Sequence, residues 1–235
     1  IIDSYLYLNP TKPKNNIECC KLFVKMFSEI YDEIDKPETE YIEWANEVVP
    51  KEIENLLEPD NWVTINGKQY LKSYVKDSRN SSAELITLLD VLVPLKKYFK
   101  KFNRGLELVE RLEKGLPDFY KPELGTILQS LHRAQKIDEE KVVMDAWYFL
   151  CPVLWAGHVA EEGNLEAKDM ILRSSHAIVK LGHAVSYEFP QFLDIFNGKY
   201  HDVLGTEREV YEYDVTGVYA YLMLQYYSLT GDEAY

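Results

Sequence analysis

The sequence predicts an all-α fold, an α/α toroid or incomplete α/α barrel of antiparallel helical hairpins, with one small β-hairpin set in a loop. Three observations predict it. Segments that are apolar nearly all round alternate with amphipathic ones; the connections alternate between very short and long; and the strand signal gathers around a single Asn66-Gly67 pair.

Hydrophobic periodicity places helices at 17–34, 38–58, 81–101, 104–115, 143–162, 165–187 and 214–230. The helices at 81–101, 143–162 and 214–230 carry runs such as Leu85-Ile86-Thr87-Leu88-Leu89 and Trp147-Tyr148-Phe149-Leu150. Such runs suit a helix surrounded by protein. The helix at 165–187 puts Ile171, Ser174, Ile178, Leu181 and Val185 on one face, while Glu166, Lys168, Asp169, Arg173 and Lys180 reach water, so it reads as an outer partner.

Asn103-Arg104, Gly163-Asn164 and Gly231-Asp232 make short turns that force antiparallel neighbours. The links at 59–80, 116–142 and 188–213 exceed the usual limit of about 12–15 residues for structureless loops, which marks them as functional or locally structured. In the first link, Trp62-Val63-Thr64-Ile65 and Lys68-Gln69-Tyr70-Leu71 flank Asn66-Gly67, the signature of a hairpin with a type I′ turn. Short bends at one end and long links at the other leave one end where several hairpins can build a pocket.

With 235 residues, 46% of them hydrophobic, the chain can bury one sizeable core, and residues 1–235 read as one domain. It carries 39 acidic and 26 basic side chains, a formal charge of −13. Nucleic acid and anionic membranes require the opposite balance, so neither is expected as a partner. The uncharged stretches 146–160 and 215–231 fall short of a membrane span. Cys19, Cys20 and Cys151 fit no disulfide or zinc spacing and read as buried thiols, and His176 and His183, seven residues apart, lie about 10 Å apart along a helix, too far for one ion. No metal or obligatory cofactor is expected. The chain opens at Ile1, which leaves localisation open, and only three residues follow Thr230-Gly231-Asp232. The expectation is a continuation of the same chain, or an oligomer, that supplies further hairpins.

The stretch from Asp214 to Tyr235 resembles the repeating unit of the six-hairpin glycosidase superfamily, an inner helix closing on a Thr-Gly-Asp turn, and Ala156 to Ala167 is a looser copy. The resemblance implies the toroid and a carbohydrate ligand in a pocket at the long-link end. It implies a carbohydrate-active enzyme, glycoside-hydrolase-like in the first reading. A polysaccharide lyase, a uronate epimerase, or a noncatalytic toroid that binds glycan or protein are the alternatives, because fold alone does not select the reaction.

Glu188 ends one helix ahead of Phe189-Pro190, and Asp214 begins the next. A carboxylate at a helix C-terminus is disfavoured as an anion and one at an N-terminus is favoured, which separates an acid from a base. Glu188 is therefore the candidate general acid and Asp214 the candidate general base; as the bland alternatives, Asp214 is an N-cap and Glu188 a surface residue. His183 and Tyr187 could supply base and acid for proton abstraction, or belong to a solvated stripe. Trp62, Tyr74, Trp147, Tyr211 and Tyr213 are candidate sugar platforms, although such rings also serve as core. Arg79, beside an apparent Ser81-x-x-Glu84 capping box, is the candidate anchor in the first link, with Asp145 in the corresponding place before Trp147.

Overall fold

A computed structural model describes residues 12–33, 41–73, 81–132, 142–202, 205 and 209–232. The chain divides into two compact units, residues 1–49 and 50–235. The division crosses the second of two helices, α1 (Asn16–Glu33) and α2 (Tyr41–Leu57), at Pro50. Cys19 and Cys20, expected as buried thiols, are exposed on α1, whereas Cys151 is buried. Phe23, Val24 and Phe27 are exposed on the same helix, so α1 has no fully covered face on which two adjacent thiols could be sequestered.

The all-α expectation is corrected: the fold is mixed, with eight short strands among the described residues arranged in four two-stranded antiparallel sheets. β1 (Trp62–Ile65) and β2 (Lys68–Leu71) form the hairpin that the sequence predicts, registered Trp62↔Leu71 to Ile65↔Lys68. Asn66 and Gly67 take φ of 50° and 78°, as a type I′ turn requires. The other strands were not legible. They are β3 (Ser82–Glu84), β4 (Tyr120–Lys121), β5 (Thr126–Ile127), β6 (Ser130–His132), β7 (Val143–Asp145) and β8 (Phe192–Asp194), each two or three residues long and too short to show alternation.

Between them run α3 (Leu85–Phe102), α4 (Leu106–Gly115), α5 (Ala146–Glu161), α6 (Leu165–Ala184) and α7 (Tyr213–Thr230). The helices expected to start at 81 and 143 begin at Leu85 and Ala146, because the preceding residues pair as β3 and β7. The capping box also gives way: Glu84 is extended, makes no capping hydrogen bond to a backbone N–H, and accepts instead from Thr87 Oγ1 at 3.2 Å. Pairing Ser82 and Glu84 with β6 occupies the backbone that such a box needs.

In the second unit α5 packs against α3, α6 and α7, and α4 folds back on α3. Phe149, Leu150, Val153, Ala156 and Val159 of α5 are buried, as are Leu85, Leu89 and Leu92 of α3 and Ala167, Ile171 and Ile178 of α6. A leucine-sized side chain fully buried in this way contributes about 1.5–3 kcal/mol. The turns that close α3–α4 and α5–α6 use left-handed backbone at Asn103 (φ 53°) and Gly163 (φ 92°). α7 is less covered than its apolar sequence leads one to expect, with Tyr213, Tyr221, Leu224 and Tyr227 exposed.

The closest approach of α5 and α7 is at Gly157, where an added Cβ would lie 1.8 Å from Oε1 of Gln225. Gln225 is only 3% exposed and its amide finds no hydrogen-bond partner in the described structure, so it is held there by packing alone. Gly157→Ala is therefore expected to destabilise the fold by about 1–3 kcal/mol. Adding Gln225→Ala should recover most of that loss in urea denaturation; equal stability of Gly157→Ala and the parent would show that the helices do not meet there.

Candidate functional site

The N-terminal ends of α3, α5 and α7 are tied to one another through backbone of the long links. β3 pairs with β6, and the carbonyl of Gln129, just before β6, accepts from Leu85 N at 3.0 Å. The side-chain Oε1 of the same Gln129 accepts from Asp145 N at 3.1 Å, which couples the start of α3 to the start of α5. β7 pairs with β8, and Ala146 N donates to Gln191 O at 2.8 Å. Gln191 N donates in turn to Val210 O at 2.7 Å, and Glu212 N to Phe189 O at 2.9 Å, which brings the chain entering α7 alongside. Residues far apart in sequence thus form one rim.

Carboxylates at the starts of α5 and α7 suit those positions, since a helix N-terminus favours an N-cap and negative charge. Asp145 caps α5, its carboxylate accepting from Tyr148 N at 3.1 Å. Burial raises its proton affinity, while the hydrogen bonds from the backbone of Tyr148 and Trp147 act the other way. Glu212 occupies the N-cap position of α7 without a side-chain cap, and Asp214 lies in the first turn. Glu212 is half-buried; burial first, then the charges of Asp145 and Asp214, push its carboxyl above the ordinary glutamate range. The buried thiol of Cys151, one and a half turns into α5, responds to the same group. Burial, with Asp214, Asp145, Asp90 and Glu212 adding charge, pushes it up to about 12, so it stays a thiol and is no nucleophile at neutral pH.

None of Asp145, Glu212 and Asp214 forms an ion pair with a lysine or arginine among the described residues. Nor does any set of three His, Cys, Asp or Glu side chains there have the arrangement of a metal site. The carboxylates therefore act on one another. What the arrangement does is raise the proton affinity of half-buried Glu212 beside Asp214, which is exposed in the first turn of α7.

Of the residues singled out in the sequence, Asp145 and Asp214 come together in this group, and Trp147, two residues after Asp145, is half-buried. Tyr211 and Tyr213 flank Glu212, their rings 6.0 Å apart, with Tyr213 72% exposed. A hydrogen bond with Glu209 raises the Tyr211 phenol above its ordinary value, and the charge of Glu188 adds to this, so Glu188 lies within reach of the rim but is exposed. His183 and Tyr187 pair with each other, Nδ1 to hydroxyl 3.2 Å, at the end of α6. Tyr187 takes left-handed backbone (φ 63°), is fixed by Thr216 Oγ1 donating to its carbonyl at 2.9 Å, and lines an open groove of about 810 Å³ along α7. Trp62 is elsewhere. It is buried in the β1–β2 hairpin, its Nε1 donating to Leu56 O at 2.8 Å and its ring covered by the Arg111 guanidinium at 3.7 Å, so it offers no open face to a sugar. Tyr74 and Arg79 lie outside the described residues.

Glu212 is the functional candidate that sequence reasoning missed. It stands two residues before Asp214, in the link read as functional or locally structured, and the pairing of residues 189–191 with 210–212 places it on the rim. Comparison with known protein families, with curated proteins and with solved structures returns no match.

The charge of Glu212 has a sign that can be tested. A carboxyl whose folded proton affinity is raised contributes stability below its unfolded pKa and loses it as pH rises through the folded value. Glu212→Gln removes that loss, so its melting temperature relative to the parent should climb as pH rises above the ordinary glutamate range. A difference that stays flat as pH rises, measured by thermal unfolding, would show that the carboxylates do not interact.

Proposed function

We propose that this chain is a carbohydrate-active enzyme of glycoside-hydrolase type, acting on a neutral glycan at the rim where α5 and α7 begin. The observation that carries the reading is the carboxylate group itself: half-buried Glu212 stands with Asp145 and Asp214 at the helix starts, burial and their charges raise its proton affinity, and no cation among the described residues pairs with it. In this reading Glu212 replaces Glu188 as general acid. It donates its proton to the glycosidic oxygen as that C–O bond breaks. Asp214 accepts a proton from the water whose oxygen forms the new bond to the anomeric carbon. Asp145 is a positioning residue, held as the α5 cap and raising the proton affinity of Glu212. Half-buried Trp147 and the exposed Tyr211–Tyr213 pair supply flat apolar faces of the kind sugar rings stack on. The Thr230-Gly231-Asp232 turn and its likeness to six-hairpin glycosidases support the same substrate class, and the charge of −13 favours neutral over anionic glycans.

A second reading rests on the His183–Tyr187 pair, whose 3.2 Å contact joins a base to an acid as uronate elimination or epimerisation requires. Among the described residues no helix is long and apolar enough to cross a membrane.

The reading is tested by reducing-end release from a panel of neutral oligosaccharides. Glu212→Gln and Asp214→Asn should each lower kcat by about 10²–10⁴, the usual contribution of a positioned acid or base. Because the acid must carry its proton, activity should fall as pH rises through the Glu212 pKa. Asp145→Asn should move that alkaline limb to lower pH, since it removes a charge that raises it. Unsaturated uronate product dependent on His183 would favour the second reading; saturable binding of glycan without any product would overturn catalysis.

A further inference from the structure

The acid excess of the chain is not uniform. Two shallow clefts of about 320 and 330 Å³ adjoin beside the β1–β2 hairpin and share Lys68, Tyr70 and Asp118. Lys121 lines the first, and Arg111 and Lys114 line the second. Four cations thus face one carboxylate, in a chain with 39 acidic and 26 basic side chains.

The single carboxylate is already engaged. Asp118 accepts from Lys68 Nζ at 2.6 Å and from the Tyr70 hydroxyl at 2.8 Å. Among the described residues, the other three cations have neutral partners or no ion pair. Lys121 Nζ donates to the backbone carbonyl of Asp118 at 2.8 Å. Arg111 stacks on Trp62 and donates to the Gln69 side-chain oxygen at 2.7 Å. Lys114 is exposed. A guanidinium pinned on one face by an indole and at one nitrogen by an amide keeps its remaining N–H groups in a fixed fork. That geometry fits the oxygens of a tetrahedral oxyanion.

We propose that this cleft binds a phosphate or sulfate group carried by a small molecule, with Arg111 and Lys114 on one side of Lys68 and Lys121 on the other. The site is separate from the carboxylate rim and does not depend on the reaction proposed there. The net negative charge of the rest of the protein leaves this cationic patch as the favoured point of entry for an anion, so binding should weaken as salt rises.

The full-length chain is titrated by calorimetry with inorganic phosphate and with inorganic sulfate at low ionic strength, then with a phosphorylated and a sulfated monosaccharide. The site predicts saturable one-to-one binding of the inorganic ions, and the tighter of the two sugars identifies the natural group. Lys114→Gln with Lys121→Gln should weaken binding about tenfold or more. Arg111→Lys, which keeps the charge but removes the fork and the planar stack on Trp62, should weaken it too, with urea denaturation of each variant separating loss of binding from loss of fold. Lys100→Gln, which removes a distant cation paired with Glu162, should leave affinity unchanged. Absence of saturation up to about 10 mM, or an equal loss on Lys100→Gln, would overturn the proposal.

Discussion

The structure depends on a relay of backbone hydrogen bonds that fastens the starts of three helices into one rim. Leu85, Asp145, Ala146, Gln191 and Glu212 each donate an N–H across it, and Gln129 serves two helices at once, through its carbonyl to α3 and through its side chain to α5. A buried backbone group without a partner costs as much as a lost hydrogen bond. Links too long to be simple turns therefore resolve into short strand pairs, and those pairs decide which side chains stand beside one another. The mixed character of the fold follows directly from this need.

The carboxylate group is a consequence of the same fastening. Helix starts attract carboxylates, since an N-terminus stabilises negative charge and an aspartate can cap its free N–H groups. Tying two starts together forces those carboxylates into one another's field, and partial burial strengthens the effect. Asp145, Glu212 and Asp214 are in that situation, and even the Cys151 thiol registers it. The hairpin beside β6 shows the opposite electrostatic character. There Arg111, Lys114 and Lys121 stand without carboxylate partners among the described residues, so an acidic protein also carries a local cluster of cations.

Much of the helical order was legible because it depends on local patterning. All seven expected helices are present, the tight turns at Asn103 and Gly163 fall where the sequence places them, and Asn66-Gly67 turns its hairpin in the expected register. The short strands were illegible for a physical reason. β3, β6, β7 and β8 are defined by partners tens of residues away, and three residues carry no periodicity of their own. The same limit explains the site. Asp145 and Asp214 could be found as helix-start residues, but Glu212 gains its place beside them from the pairing of residues 189–191 with the chain entering α7. Trp62 read as an exposed platform because its hairpin was visible and its covering arginine, on α4, was not.

The central claim is that the rim is a cooperative part of the core and not a set of loose links resting on it. Native-state amide hydrogen exchange reads this directly at Ala146, Gln191 and Glu212. If the relay fastens the helices, these amides exchange as slowly as those in the middle of α5, through the same opening. Exchange at the rate of exposed turns, while α5 stays protected, would mean that the helices stand without the rim and that nothing holds the carboxylates together.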